Sequence, residues 1–265
     1  MPHLTRLLRA VLLAASLVVA LPARAIDYTD IWFTSTEPGW GVNAVQSDNF
    51  LFLTFFIYGP DNKPIWYAGN LTWDGSTAFT GTLFSTEGTY FAQPWNPAQH
   101  PDAVAVGTVT FTPSTLNAYQ ATLTYNVGTA NVTKAIERQT LTAIALGGAY
   151  VGGQSGSYSS CASSSNNGSY VDKYLLTVSH NTNGTATFTF VYDVGATCVM
   201  SGTLEQHGQL YRIPGASYQC TGGLVFNTTA TMYEIKATAL GIEGRFAATL
   251  PSGCQENAQF SATLR

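Results

Sequence analysis

The chain has 265 residues, of which 10% are charged, 45% hydrophobic and 12% aromatic, with 25 Gly, 11 Pro and 4 Cys. So few charges beside ordinary apolar content exclude an intrinsically disordered chain and a long charged helical bundle. A formal net charge of −4 excludes a basic nucleic-acid binder.

Met1 to Ala25 has the form of a secretory signal peptide. Arg6 and Arg9 precede the apolar run Ala10–Leu21, Pro22 breaks it, and Ala23-Arg24-Ala25 supplies a small-x-small cleavage site. The run is 12 residues long, about 18 Å as a helix, too short to span a bilayer core. No later apolar run approaches 18 residues, so no membrane helix is expected after cleavage. The mature chain is expected to be periplasmic or extracellular and more acidic than its precursor, since cleavage removes Arg6, Arg9 and Arg24.

Residues 26–145 read as a cysteine-free, Trp-rich β domain. Glu37-Pro38-Gly39-Trp40-Gly41 places Pro and Gly where a type II turn needs them. Phe50–Tyr58 (FLFLTFFIY) is apolar on both faces, which predicts a strand covered on both sides. Gly59-Pro60-Asp61-Asn62 closes a hairpin onto Pro64–Ala68. Further strands are expected at Ala78–Ser85, Val104–Thr112 and Asn131–Thr142. Between Tyr119 and Val127, apolar residues alternate with Gln120, Thr122, Thr124 and Asn126, the period of a half-buried strand.

Residues 146–265 read as a second β domain, joined near Ala145-Leu146-Gly147-Gly148. Ala186, Phe188, Phe190 and Tyr192 share one strand face, and Asn181–Gly184 has the chemistry of a hairpin tip. All four cysteines, Cys161, Cys198, Cys220 and Cys254, lie here, and an even number in an exported chain predicts two disulfides. Up-and-down strands would favour the pairs 161–198 and 220–254. The fold class is thus all-β, two antiparallel β-barrel or β-sandwich domains in tandem.

Chemistry-bearing motifs are sparse. No H-E-x-x-H, G-x-S-x-G or phosphate loop occurs, and the cysteine spacings offer no close pair for zinc, so no metal or cofactor is implied. His100, His180 and His207 read as surface-loop residues. Glu37, with Asp74 or Glu87, is the only carboxylate set with any claim to a hydrolase pair. The distinctive feature is aromatic: Trp32, Trp40, Trp66, Trp73 and Trp95 all precede residue 96. Such rings can be core, or can be held in turns where they stack on a ligand. Trp40 and Trp95 lie in Gly/Pro-bounded segments and lead the ligand-binding candidates, followed by Trp66 and Tyr67.

Trp32, Glu37-Pro38-Gly39-Trp40-Gly41, Phe52–Tyr58 and Asp61-x-Lys63-Pro64-x-Trp66-Tyr67 together resemble a module of exported bacterial proteins. That module carries a W…SGWG…F-x-T-x-F-x-Y-D…K-P-x-W pattern, and Val106–Phe111 and Lys134–Gln139 are similar to its closing strands. The resemblance spans Ile31 to Gln139 and implies a β-rich exported module with nothing catalytic. The expected function is a non-enzymatic binding or interaction protein for a small-molecule, glycan or protein ligand. The alternatives are a secreted hydrolase using Glu37 with Asp74 or Glu87, and an outer-membrane β-barrel.

Overall fold

The computed structural model describes residues 26–100, 102–223 and 225–265; the expected signal peptide, Met1–Ala25, lies outside the described residues. Two closed antiparallel β-barrels follow one another. The first comprises β1 (Asp30–Phe33), β2 (Gly41–Ser47), β3 (Phe50–Tyr58), β4 (Pro64–Trp73), β5 (Phe79–Ser85), β6 (Val104–Pro113), β7 (Gln120–Val127) and β8 (Ala130–Arg138). Each strand pairs with the next, and β8 returns to β1 through Trp32↔Arg138.

Alternation decides which side chains fill this barrel. Leu51, Leu53 and Phe55 of β3 point inward beside Trp32, Leu71, Leu83, Phe111 and Leu123, all fully buried. Trp32 is fixed edge-on to Phe111 at 5.1 Å between ring centroids, and its Nε1 donates to the Tyr28 carbonyl at 3.0 Å. At the turn before β2, the Trp40 amide donates to the Glu37 carbonyl at 3.2 Å and Gly39 has φ +92°, the type II geometry expected. A Cβ at Gly39 would collide with the Tyr58 hydroxyl, so glycine there serves both the turn and the ring packed on it.

One expectation is corrected here. β3 is not covered on both faces: Phe50, Phe52, Phe56 and Tyr58 point outward and are exposed. In a barrel closed around its own core, an apolar residue on the outer face has no second layer to meet.

The second barrel contains β9 (Gly148–Ser159), β10 (Gly168–His180), β11 (Thr185–Tyr192), β12 (Thr197–Thr203), the short β13 (Glu205–His207), β14 (Leu210–Thr221), β15 (Phe226–Ala237), β16 (Gly241–Thr249) and β17 (Gln255–Leu264). β9 pairs with both β10 and β17, and a β12–β14 pairing closes the ring. Its core holds Phe188, Phe190, Phe246, Met200, Met232 and Ile213. Leu146, in the connection between barrels, is fully buried against that core, and its carbonyl accepts from Tyr150 Oη at 2.8 Å.

The cysteines form two disulfides, but the pairs are Cys161–Cys254 and Cys198–Cys220, not 161–198 and 220–254. The strand order explains the difference. Cys198 and Cys220 are direct cross-strand partners on β12 and β14, and Cys161 and Cys254 flank the adjacent ends of β9 and β17, where Ser159 pairs with Gln255. Sequence spacing does not reveal that the first and last strands of a barrel are neighbours.

Candidate functional site

The hairpins divide the first barrel into two ends. Turns 34–40, 59–63 and 128–129 and the long connection 86–103 crowd one end. At the other, the N-terminal segment and the end of β8 meet the second barrel. Arg138 organises this second end. Its side chain is 1% exposed and donates to the Ala118 carbonyl at 2.8 Å, the Asp27 carbonyl at 2.5 Å and Asp30 Oδ2 at 3.1 Å. Its guanidinium also lies 4.9 Å from the Trp32 ring centroid.

Several contacts cross between the barrels. Asp30 Oδ2 accepts the Gln209 amide at 3.1 Å, Tyr119 Oη accepts the Glu234 amide at 2.9 Å, and Lys236 pairs with Asp27 at 3.3 Å. His207, expected in a surface turn, instead stacks on Tyr119 at 4.6 Å between ring centroids. Burial, then the nearby Arg212, lowers its pKa below the usual histidine value. A cleft of about 220 Å³ lies along this contact, with Asp27, Arg138, Glu234, Lys236, Glu243 and Arg245 among its lining. Glu234 pairs with Arg245 at 3.3 Å, and burial raises its pKa. The ion pairs across and beside this cleft join the barrels.

The four aromatic candidates divide between two environments. Trp40 is only 9% exposed and belongs to the first barrel's core; its Nε1 donates to Tyr125 Oη at 3.3 Å and Lys134 Nζ lies 5.3 Å from its ring centroid. Tyr67 also points inward and packs against that core. Trp66 points outward and is 53% exposed, directly opposite Phe56 in the β3–β4 register. Trp95 is 65% exposed in the 86–103 connection, its ring 4.6 Å from that of His100. Trp40 and Tyr67 thus enter one core, whereas Trp66 and Trp95 face solvent.

The outward face around Trp66 is continuous. Along β3 it carries Phe50, Phe52, Thr54, Phe56 and Tyr58, about 6.6 Å apart along the strand. Cross-strand pairing sets Phe52 between Val45 and Asn70, and Thr54 between Asn43 and Ala68. No charged side chain occurs in these rows. Tyr90 and Phe91, in edge contact at 4.6 Å and both exposed, project from the 86–103 connection. Phe50, Phe52 and Phe91 were not picked out by sequence reasoning. The signal was present as the doubly apolar β3, but it reads equally as a buried central strand.

Glu37 and Asp74 lie at opposite ends of the first barrel and do not form a hydrolytic pair. Glu37 is engaged by Lys134 at 2.6 Å, while Asp74 sits beyond the far end of β4, accepting backbone amides of Ser76, Thr77 and Ala78. Those amides hold the Asp74 carboxyl below its usual pKa. Glu87 is exposed just after β5. Among the described residues no group of three or more His, Cys, Asp or Glu could hold a metal ion.

No family model matches the chain, and no curated protein matches it. A solved structure from Bacteroides fragilis, a "putative outer membrane protein", is similar at 13% identity and a TM-score of 0.33. The match covers 88% of this chain and 94% of that one. Likeness at that level carries no functional argument.

The outer faces themselves bear on the membrane-barrel alternative. β7 presents Gln120, Thr122, Thr124 and Asn126 outward, and β17 presents Gln255, Asn257, Gln259 and Ser261. A bilayer-spanning barrel needs an apolar band around its full circumference. Here the apolar surface of the first barrel is concentrated on β3, with Val45 and Trp66 beside it. No helix among the described residues is long and apolar enough to cross a membrane.

Proposed function

We propose that this is an exported, non-enzymatic binding protein whose first barrel holds a neutral glycan chain on the outer face of β3 and β4. The observation carrying this reading is the exposed row of Phe52, Phe56 and Tyr58 with Trp66 beside it, interleaved with Thr54 and Asn70. Aromatic faces stack on the C–H faces of sugar rings, and neutral hydroxyl and amide groups hydrogen-bond to sugar hydroxyls. Rigid strands keep both sets in register without an ordering cost on binding. Trp95, Tyr90 and Phe91 expose further rings on the 86–103 connection at one end of the same barrel. Trp40 and Tyr67 serve this reading as the packed support beneath it.

Export through a cleaved Met1–Ala25 leader into the periplasm or the extracellular space accords with two disulfides, since such bonds persist in oxidising compartments. The resemblance to exported bacterial modules points the same way.

The experiment is a tryptophan-fluorescence titration of the full chain with soluble gluco-, xylo- and chito-oligosaccharides, repeated with Trp66→Ala. Saturable quenching by one series, lost in the variant, supports the reading. The absence of a response to every series, or a response unchanged by Trp66→Ala and by Phe56→Ser, contradicts it.

A further inference from the structure

Across the sheet from β1 to β4, Phe33, Gly41, Phe56 and Trp66 are successive cross-strand partners. Partners in a sheet share a face, so Phe33 stands outward with Phe56 and Trp66, and Gly41 lies between the two phenylalanines. Glycine leaves that place without a side chain. Apart from its chain neighbours, a Cβ on Gly41 would have only the Trp32 carbonyl oxygen within 4 Å, at 3.1 Å, so no adjacent side chain fills the gap. A cavity of about 340 Å³ opens there. Phe33, Phe56 and Pro38 give it apolar walls, Thr34, Ser35 and Gln139 give it polar groups, and no charged residue lines it.

The dimensions and chemistry of this slot select what fits. The backbones of Phe33 and Phe56 are two strand spacings apart, about 9.6 Å. A layer of atoms touching two apolar walls needs about 7–8 Å, two van der Waals contacts. The slot therefore takes one thin group, with apolar faces and neutral polar edges. An acetamido group has that form: it is flat, its methyl suits the walls, and its N–H and carbonyl suit the hydroxyl of Ser35 and the amide of Gln139. A sugar hydroxyl in its place would leave the walls unfilled. An ammonium, as in the deacetylated sugar, would lose water with no carboxylate among the lining residues to receive it.

We infer that the slot over Gly41 receives the acetamido group of an N-acetylated amino sugar, so that the chain held along β3 and β4 is an N-acetylhexosamine glycan rather than a plain glucan or xylan. This assignment rests on the glycan reading of the outer face and adds selectivity to it. The aromatic row stacks on any sugar ring, whereas the slot distinguishes the acetylated one. Phe56 belongs to both, so a sugar stacked on it carries its acetamido group toward Gly41.

The test is calorimetric titration of the full chain, and of Gly41→Val and Phe33→Ala, with three tetrasaccharides. These are N-acetylchitotetraose, cellotetraose and the fully deacetylated chitosan tetramer in its ammonium form. The unaltered chain should bind the acetylated tetramer about tenfold or more tighter than either of the others, the scale of one methyl in an apolar pocket. Gly41→Val puts a side chain into the slot and should bring the acetylated tetramer down to the affinity of cellotetraose. Phe33→Ala removes a wall and should reduce the same preference; it serves if Gly41→Val, pressed against the Trp32 carbonyl, does not fold. Equal affinities for the three tetramers, or a preference that survives in the folded variants, would overturn the slot while leaving the glycan surface standing. Binding of none of the three would overturn the slot, and the glycan reading with it if xylotetraose also fails to bind.

Discussion

Asp30 and Arg138 meet at 3.1 Å with side chains 4% and 1% exposed, and the Asp30 oxygen in that pair also accepts the Gln209 amide of the second barrel. One buried carboxylate therefore closes the first barrel and joins it to its neighbour. Removing one partner strands the other without water. Arg138→Met should cost about 3–5 kcal/mol in urea unfolding, whereas replacing both residues with apolar ones should restore part of that loss. Equal losses in the single and double variants would show that the pair does not act as a unit.

Gly208 lies against the same carboxylate. It has φ +62°, and a Cβ there would collide with Asp30 Oδ2 and the Arg138 side chain. Gly208→Ala should loosen the joint while leaving each barrel folded. The expected result is faster proteolysis in residues 139–147, with far-ultraviolet circular dichroism unchanged; wild-type cleavage rates would contradict it.

The disulfide pairs are testable by peptide mapping of unreduced protein, which should recover 161–254 and 198–220. In the chain-entropy model their sequence separations of 93 and 22 are worth about 4.6 and 3.4 kcal/mol respectively. Cys161→Ser with Cys254→Ser should therefore destabilise the second barrel more than Cys198→Ser with Cys220→Ser. Recovery of a 161–198 peptide would refute the observed strand neighbours.

Burial pushes the phenols of Tyr28 and Tyr119 up to about 12 from an ordinary 10. A group that holds its proton more tightly when folded contributes stability fully below pH 10, and that contribution disappears as pH rises through 12. Absorbance titration should show a set of tyrosines that fails to ionise near pH 10 and does so only higher, together with a falling urea midpoint. Ionisation of every tyrosine in one step at pH 10 would contradict the burial.

Much of the fold was legible because hydrophobic period and turn chemistry are local. Ala121, Leu123 and Tyr125 alternate as the core face of β7, and Pro38-Gly39 makes the expected turn. What was not legible depended on closure. Cys161 and Cys254 meet because the first and last strands of the second barrel pair, and outward Phe52 and Phe56 are exposed because one sheet wraps around its own core. The candidate site was half legible for the same reason. Trp66 and Trp95 face solvent, whereas Trp40, beside a Gly/Pro turn that suggested exposure, is drawn inward to Tyr125.

The central claim is that the outward row on β3 and β4, not the buried tryptophan below it, contacts ligand. Its most direct test is a paired measurement of oligosaccharide affinity and urea stability in Trp66→Ala and Trp40→Ala. Trp66→Ala should change stability by less than about 0.5 kcal/mol and abolish binding. Trp40→Ala should cost about 3–5 kcal/mol, with the molecules that remain folded still binding. Full binding in Trp66→Ala, or binding lost in folded Trp40→Ala alone, would contradict the claim.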